Sequence, residues 1–490
     1  MIPTEMDVKP NLNAQSEVPL YRQLSEHFKI LIDTGLVDRG ERLPATRELA
    51  GQLGLNRTTV SAAYELLEEE GYISGQVGRG SFVTGGGGRD AGLNWDSVLS
   101  APQVAMRPSV VPGPLISFAT SRPSEKLFPL DKFRASCEDV LGSADLASIL
   151  QLGSPGGYEP LRQYLLDEAR TEGVAGPGDD VMITNGCQQA LDLIRRVLVR
   201  PGDRVGLEDP VYPGLKNLFL QAGADLCGVP VGAEGIDLER LQRVRPKLLM
   251  VTPNFQNPTG ATIPLESRKS ILRMSRDSGT VVVENDMYGS LRYEGKAQPT
   301  LKALDTTGDT ILLRSFSKIS FPGLRVGWVV GPKTFISRML EAKQLSDLHT
   351  DQFSQAVLLR FAQSGRLEAH QANMLVAGAE RLLAVRAACE LYLPQGARFS
   401  RPQGGMNLWI TLPEPLDSAD LLPRAQRAGV TYLPGRFFAV SEPHAGGLRL
   451  SFAGLDPKQI EEGVRLLGHL FSEELDAHTG FDHRPAPAMV

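Results

Sequence analysis

Between Thr46 and Leu53 apolar and polar positions alternate with the helical period, and Pro44 just ahead of them suits a helix start. The turn Gly54-Leu55-Asn56 breaks that pattern, and Asn56 is a good cap for a second helix beginning at Arg57. In this second helix Val60, Tyr64 and Leu67 recur at intervals of four and three and form its inward face, which leaves Arg57, Thr58 and Ser61 outward near the N-terminal end. From Tyr72 to Val83 the alternation turns extended around Gly78-Arg79-Gly80, as in a hairpin with a cationic tip. Gly85-Gly86-Gly87-Gly88 then interrupts all periodicity, and a Gly- and Pro-rich connector runs on to Pro114. Beyond it, short apolar runs such as Val281-Val282-Val283 and Thr310-Ile311-Leu312-Leu313 alternate with helical segments, the pattern of buried parallel strands under covering helices. There is no internal repeat at a fixed period.

The elements divide the chain into a small domain at residues 17–84, a linker at 85–114 and a large α/β domain at 115–475. A length of 490 residues is too great for one ordinary core. With 42% hydrophobic and 22% charged residues, the composition is that of a globular protein with a sizeable interior. Cys137, Cys187, Cys227 and Cys389 show no CxxC spacing, so neither a metal site nor a disulfide framework is expected. The N-terminus lacks a basic start followed by an apolar run, and no stretch is long enough to span a bilayer, so a cytoplasmic location and no membrane partner are expected. A net charge of −6 argues against indiscriminate nucleic-acid binding by the whole molecule, but not against a small basic reading surface.

The first domain has helix-turn-helix spacing. Arg42, Arg47 and Arg57 gather on the motif with only Glu48 against them, while the acidic run Glu68-Glu69-Glu70 lies at the far helix end. The positions of Arg47, Arg57, Thr58 and Ser61 are those that meet base edges and phosphates of duplex DNA, and Arg79 at the wing tip suits the adjacent backbone or minor groove. Spacing alone leaves open a helical docking module with solvated arginines. The runs Pro19-Leu20-Tyr21, Gly40-Glu41-Arg42-Leu43-Pro44-Ala45-Thr46-Arg47-Glu48-Leu49-Ala50, Asn56-Arg57-Thr58-Thr59-Val60 and Gly78-Arg79-Gly80-Ser81-Phe82-Val83 closely resemble the GntR family of winged-helix repressors. That resemblance covers the whole segment and implies an operator in double-stranded DNA as partner.

In the large domain Lys318 follows an apolar strand between Ser315, Ser317 and Arg325. A lysine beside a loop is ordinarily a solvated charge. One held near other cations can instead condense with an aldehyde, and two hydroxyls with a guanidinium fork suit a phosphate. Gly186-Cys187-Gln188 opens a helix after the strand-like Val181-Met182-Ile183, which makes a second anion cradle. Tyr212 in a post-strand loop can stack on a pyridine ring, and Asn257 and Tyr288 can hydrogen-bond a phenolic oxygen. Together and in this order these segments resemble the fold-type I aminotransferases over nearly all of residues 115–475, and the pairing with the head resembles the MocR group of GntR regulators. The resemblance implies pyridoxal 5′-phosphate as cofactor, with Lys318 as its Schiff-base lysine. It implies Tyr212 for the ring face, Asn257 and Tyr288 for the phenolic oxygen, and Ser315, Ser317, Arg325 and the Gly186 loop for the phosphate. Within Gly447-Leu448-Arg449-Leu450-Ser451-Phe452, Arg449 matches the family's arginine for a substrate carboxylate.

One position departs from the family pattern. An aspartate three residues before the tyrosine ordinarily pairs with the pyridine nitrogen, and here that offset holds Asn285, with Asp286 beside it. Either the strand end is irregular and Asp286 serves, or Asn285 faces a neutral ring. The resemblance implies a homodimeric regulator whose large domain senses an amino acid or related amine, with turnover low or absent. The alternative is a working aminotransferase with an accessory head. The complete reading head separates the two, since Arg47, Arg57 and Arg79 have no task in transamination.

Overall fold

The computed structural model describes residues 10, 12–13, 15–16, 18–76, 80–85, 115–232 and 235–481. The chain forms two compact units, divided between Ser109 and Val110. Apart from Gly85, the expected linker lies outside the described residues, as does Arg79.

The small unit packs α1 (Leu20–Asp33), α2 (Thr46–Leu53) and α3 (Arg57–Glu69) against the hairpin of β1 (Ile73–Gln76) and β2 (Gly80–Val83). Gly54 at φ 66° ends α2, and the Asn56 side chain accepts from Thr58 N to start α3, so the expected turn and cap both form. Val60, Tyr64 and Leu67 are buried with Leu24, Phe28 and Leu31 of α1. The Tyr64 hydroxyl donates to Pro44 O at 2.9 Å, tying the two helices of the motif together. Glu68 and Glu70 have tertiary uses that outweigh their poor placement on the α3 dipole: Glu68 accepts from Gly75 N at 2.8 Å, and Glu70 pairs with Lys29.

The large unit is built on an eight-stranded sheet of order β4-β11-β10-β9-β8-β5-β6-β7. These strands are β4 (Asp179–Thr184), β5 (Arg204–Asp209), β6 (Asp225–Gly232), β7 (Gly235–Ile236), β8 (Leu248–Val251), β9 (Val281–Asn285), β10 (Ile311–Ser315) and β11 (Gly327–Pro332). The run from β10 to β6 is parallel, as expected from the apolar runs, whereas β11 runs against both β4 and β10. Helices cover both faces. On one, α5 (Gly186–Leu198) and α7 (Lys333–Gln344) pack on Val283, Leu313 and Val329. On the other, α4 (Glu159–Thr171) and α8 (Gln352–Gln363) pack on Val181, Leu312 and Val330, and α6 (Leu265–Ser278) packs on Val251 and Val282.

A second, antiparallel sheet of β12 (Arg398–Phe399), β13 (Asn407–Thr411), β16 (Gly447–Ser451) and β15 (Leu433–Pro434) lays Leu408, Ile410, Leu448 and Leu450 against the long helices Arg366–Tyr392 and Pro457–Phe481, and β3 (Ile116–Ser117) pairs in parallel with β14 (Val430–Thr431). Among the described residues no helix is long and apolar enough to cross a membrane, and no group of three metal-ligating side chains occurs.

Candidate functional site

The candidate residues of the large unit lie mostly just beyond the C-terminal ends of its strands, where a doubly covered parallel sheet leaves its crevice. Beyond β10 the chain turns through a tight helical turn, Phe316–Lys318, started by the Ser315 hydroxyl accepting from Ser317 N at 3.0 Å. Lys318 Nζ donates to Ser121 O at 2.6 Å, lies 5.8 Å from the Tyr288 ring centre and has no acidic partner among the described residues. Ser315 Oγ and Ser317 Oγ are 2.9 Å apart. Arg325, in a left-handed conformation at φ 54°, brings Nη1 to 3.4 Å from Ser317 Oγ, and its guanidinium pairs with no carboxylate among the described residues.

Gly186, at φ 73°, opens α5 beside that guanidinium so closely that a Cβ there would meet Arg325 Nη2 at 2.6 Å. The N–H groups at the start of α5 and the two serine hydroxyls thus converge with a guanidinium that pairs with no carboxylate among the described residues, an anion cradle whose left-handed turn favours glycine. Cys187 is buried, and burial pushes its thiol up to about 12, with Lys318 and Arg325 opposing, so it offers the cradle its backbone and no thiolate. Gln188 in the same turn is exposed. Behind the cradle Lys343 is buried, its Nζ 2.9 Å from Gln189 Oε1 and 2.8 Å from Asp347 Oδ1, while Asp347 Oδ2 accepts from Asn185 Nδ2 and Gln189 Nε2, both at 2.6 Å.

Asn257 and Arg449 meet across the crevice, Arg449 Nη1 donating to Asn257 Oδ1 at 3.0 Å while Nη2 reaches Ala119 O. Arg449 Nε is buried with no hydrogen-bond partner among the described residues. Burial lowers this guanidinium to about 10, opposed by the Tyr288 and Tyr212 phenols, which places both tyrosines within its field. Burial followed by Tyr288 raises the Tyr212 phenol, with Arg449 and Arg325 opposing. Tyr288 is buried, and Tyr212 stays 44% exposed. Asp286 is buried with both oxygens in use, accepting from Asn254 Nδ2 at 3.0 Å and Arg314 Nε at 3.2 Å.

Several participants carry no sequence signal. Ala119 and Ser121 act through carbonyl oxygens, which any residue supplies. Asn254, Arg314 and Lys343 come from elements distant in sequence, and only their tertiary partners single them out. In the small unit, Arg47, Arg57 and Thr58 are exposed and Ser61 is half-buried on the same stretch of α3.

Comparison with known proteins agrees with this arrangement. Residues 140–467 match the family described as aminotransferase class I and II, and residues 20–83 match the bacterial regulatory proteins of the gntR family. The chain is 34% identical to aromatic-amino-acid aminotransferase 1 of Thermococcus litoralis over 74% of this chain and 89% of that protein. It is similar at 35% identity and a TM-score of 0.74 to a kynurenine aminotransferase from Pyrococcus horikoshii solved with PMP, over 78% of this chain and 98% of that one. These define a fold-type I aminotransferase unit behind a GntR-type head. Similarity to the probable rhizopine catabolism regulatory protein MocR of Rhizobium meliloti extends along both units, at 31% identity over 94% of this chain and 95% of that protein. The chain belongs to the aminotransferase class I and II family and, as a GntR head fused to that domain, to the MocR group of regulators.

The cofactor of this fold is pyridoxal 5′-phosphate, and the residues present fit it. Among the described residues, an amine without an acidic partner stands for the aldehyde, a cradle that a Cβ would fill stands for the phosphate, and a buried guanidinium with an unpartnered Nε stands for a carboxylate.

Proposed function

We propose that this protein is a cytoplasmic, homodimeric transcription regulator whose aminotransferase-type site, loaded with pyridoxal phosphate, binds an amino acid or related amine and so changes the affinity of its heads for an operator. In this reading Ser315, Ser317, Arg325 and the α5 start hold the phosphate, Tyr212 covers one ring face, Asn257 and Tyr288 take the phenolic oxygen, and Arg449 takes the ligand's carboxylate. Lys318 would be the amine that holds the cofactor covalently. When bound, the cofactor supplies a reactive carbonyl carbon, which makes recognition of an amine covalent and reversible. Asn257 holds the Arg449 fork in position, and the Ser121 carbonyl orients the Lys318 amine. Arg57 and Thr58 with Arg47 and Ser61 make the DNA contacts, and Arg79 is assigned the wing contact.

The observation that carries the reading is the presence in one chain of an exposed, cationic α3 start and a site that brings together a lysine, an anion cradle and a buried arginine suited to a carboxylate. That site also favours a second reading, an aminotransferase with an accessory head. Fluorescence anisotropy of operator DNA with the loaded protein, run with and without a panel of amino acids, separates the two. The regulator reading requires at least one amino compound to shift DNA affinity. No shift with any of them, together with rapid keto-acid production, would overturn it.

A further inference from the structure

Asn285 closes β9, and its Oδ1 is buried with no hydrogen-bond partner among the described residues. Val283, two residues earlier, and Leu313, the register partner of Asn285 on β10, both pack in the cluster that holds Cys187 and Ala190 of α5. Strand alternation therefore puts the Asn285 side chain on the α5 face, the face of the phosphate cradle. Val282 belongs to the opposite face, as does Glu284, which accepts from Leu301 N there, and Asp286, whose N–H continues the ladder to Leu313 O, follows the same alternation.

The nearby carboxylates are all committed. Asp286 is held by Asn254 and Arg314. Glu284 accepts from Leu301 N at 3.0 Å and Lys302 N at 2.9 Å. Asp209, two strands away, takes the N–H groups of Val440, Ser441 and Glu442 and the His444 ring. The charged side chains left facing the site, Lys318, Arg325 and Arg449, are cations. A proton on a ring nitrogen is held there by a facing negative charge, and among the described residues no uncommitted carboxylate faces this site.

Resting on the pyridoxal-phosphate reading above, we infer that Asn285, not Asp286, faces the pyridine nitrogen and leaves it unprotonated. The amide has donors as well as an acceptor, and rotation about its last bond presents an N–H to a neutral ring. A neutral ring withdraws electrons poorly, so loss of the ligand's α-proton is slowed while covalent capture of its amine is not. Asn285 is thus a positioning and tuning residue that makes the site retain an amino ligand.

The test is nitrogen-15 NMR of the full-length protein loaded with pyridoxal phosphate labelled at the ring nitrogen, at neutral pH. The wild type is expected to resonate at the neutral-pyridine position, and Asn285→Asp, which restores a carboxylate at the same place, at the pyridinium position. The same variant should convert amino donor to keto acid faster, by about tenfold or more. A wild-type resonance already at the pyridinium position, or an unmoved resonance in loaded Asn285→Asp, would overturn the inference while leaving the cofactor reading intact. Failure of the wild type to load the cofactor at all would sink both, because the amide would then have no ring to face.

Discussion

Lys318 Nζ donates to a carbonyl oxygen 2.6 Å away and has no carboxylate partner among the described residues. In the proposed reading this amine is the one that bonds the cofactor. Lys318→Ala is therefore expected to abolish the lysine-dependent absorbance of the loaded protein while its far-ultraviolet circular dichroism is unchanged; an unaltered visible spectrum would refute the assignment. Glu208 provides a test by pH. It is fully buried on β5, accepts from Thr252 N at 3.1 Å, and burial raises its carboxyl to about 8. The folded protein thus holds a proton that the unfolded chain releases near the ordinary value of 4.5, so stability is greatest below 4.5 and falls as pH rises toward 8. Chemical denaturation across that window should show wild-type stability declining relative to Glu208→Gln by up to about 1.4 kcal/mol per pH unit. Parallel curves for the two proteins would mean the carboxyl is not held protonated.

Two helix starts link local conformation to function. At the start of α5, Gly186 needs both a left-handed backbone and space beside Arg325 Nη2, so Gly186→Ala strains the turn and pushes the guanidinium off the cradle. Loss of one charge-assisted hydrogen bond is worth about 1.5–3 kcal/mol, so affinity for pyridoxal phosphate, followed by fluorescence titration, is expected to fall by about tenfold or more. Unchanged affinity would remove the cradle from the phosphate site. At the start of α3, the Asn56 side chain satisfies Thr58 N at 3.3 Å. Asn56→Ala should cost the head about 0.5–2 kcal/mol and speed hydrogen exchange of the α3 amides in the full chain. Cofactor absorbance in that variant should not change, because the substitution lies in the other compact unit.

For the whole molecule, the two units make separable predictions. Arg57 is exposed at the α3 start, and Arg57→Ala is expected to weaken operator binding, lower its salt dependence by about one counterion and leave cofactor loading intact. Equal loss of both functions would indicate misfolding. A recognised amino compound should change DNA affinity with multiple turnover far below the ~1–10³ per second of ordinary enzymes, as read by keto-acid release. Sedimentation of the loaded protein should give a dimer, the assembly needed to place two heads on two half-sites.

The head was legible down to single residues because its logic is local: the Gly54 turn, the Asn56 cap and the Val60-Tyr64-Leu67 stripe lie within one short stretch and obey helical spacing. The order of the cofactor segments was legible too, since each glycine, lysine or arginine has a chemistry that its type and neighbours declare. Sequence alone also placed Lys318 after a strand and Gly186 at a helix start. It could not show that Ser121 and Ala119 supply carbonyls to Lys318 and Arg449, because backbone oxygens are common to all residues. Nor could it choose between Asn285 and Asp286. Adjacent strand residues differ only in the face they take, and faces are set by tertiary packing: Val283 and Leu313 lie in the cluster of α5, while Asp286 accepts from Arg314 Nε.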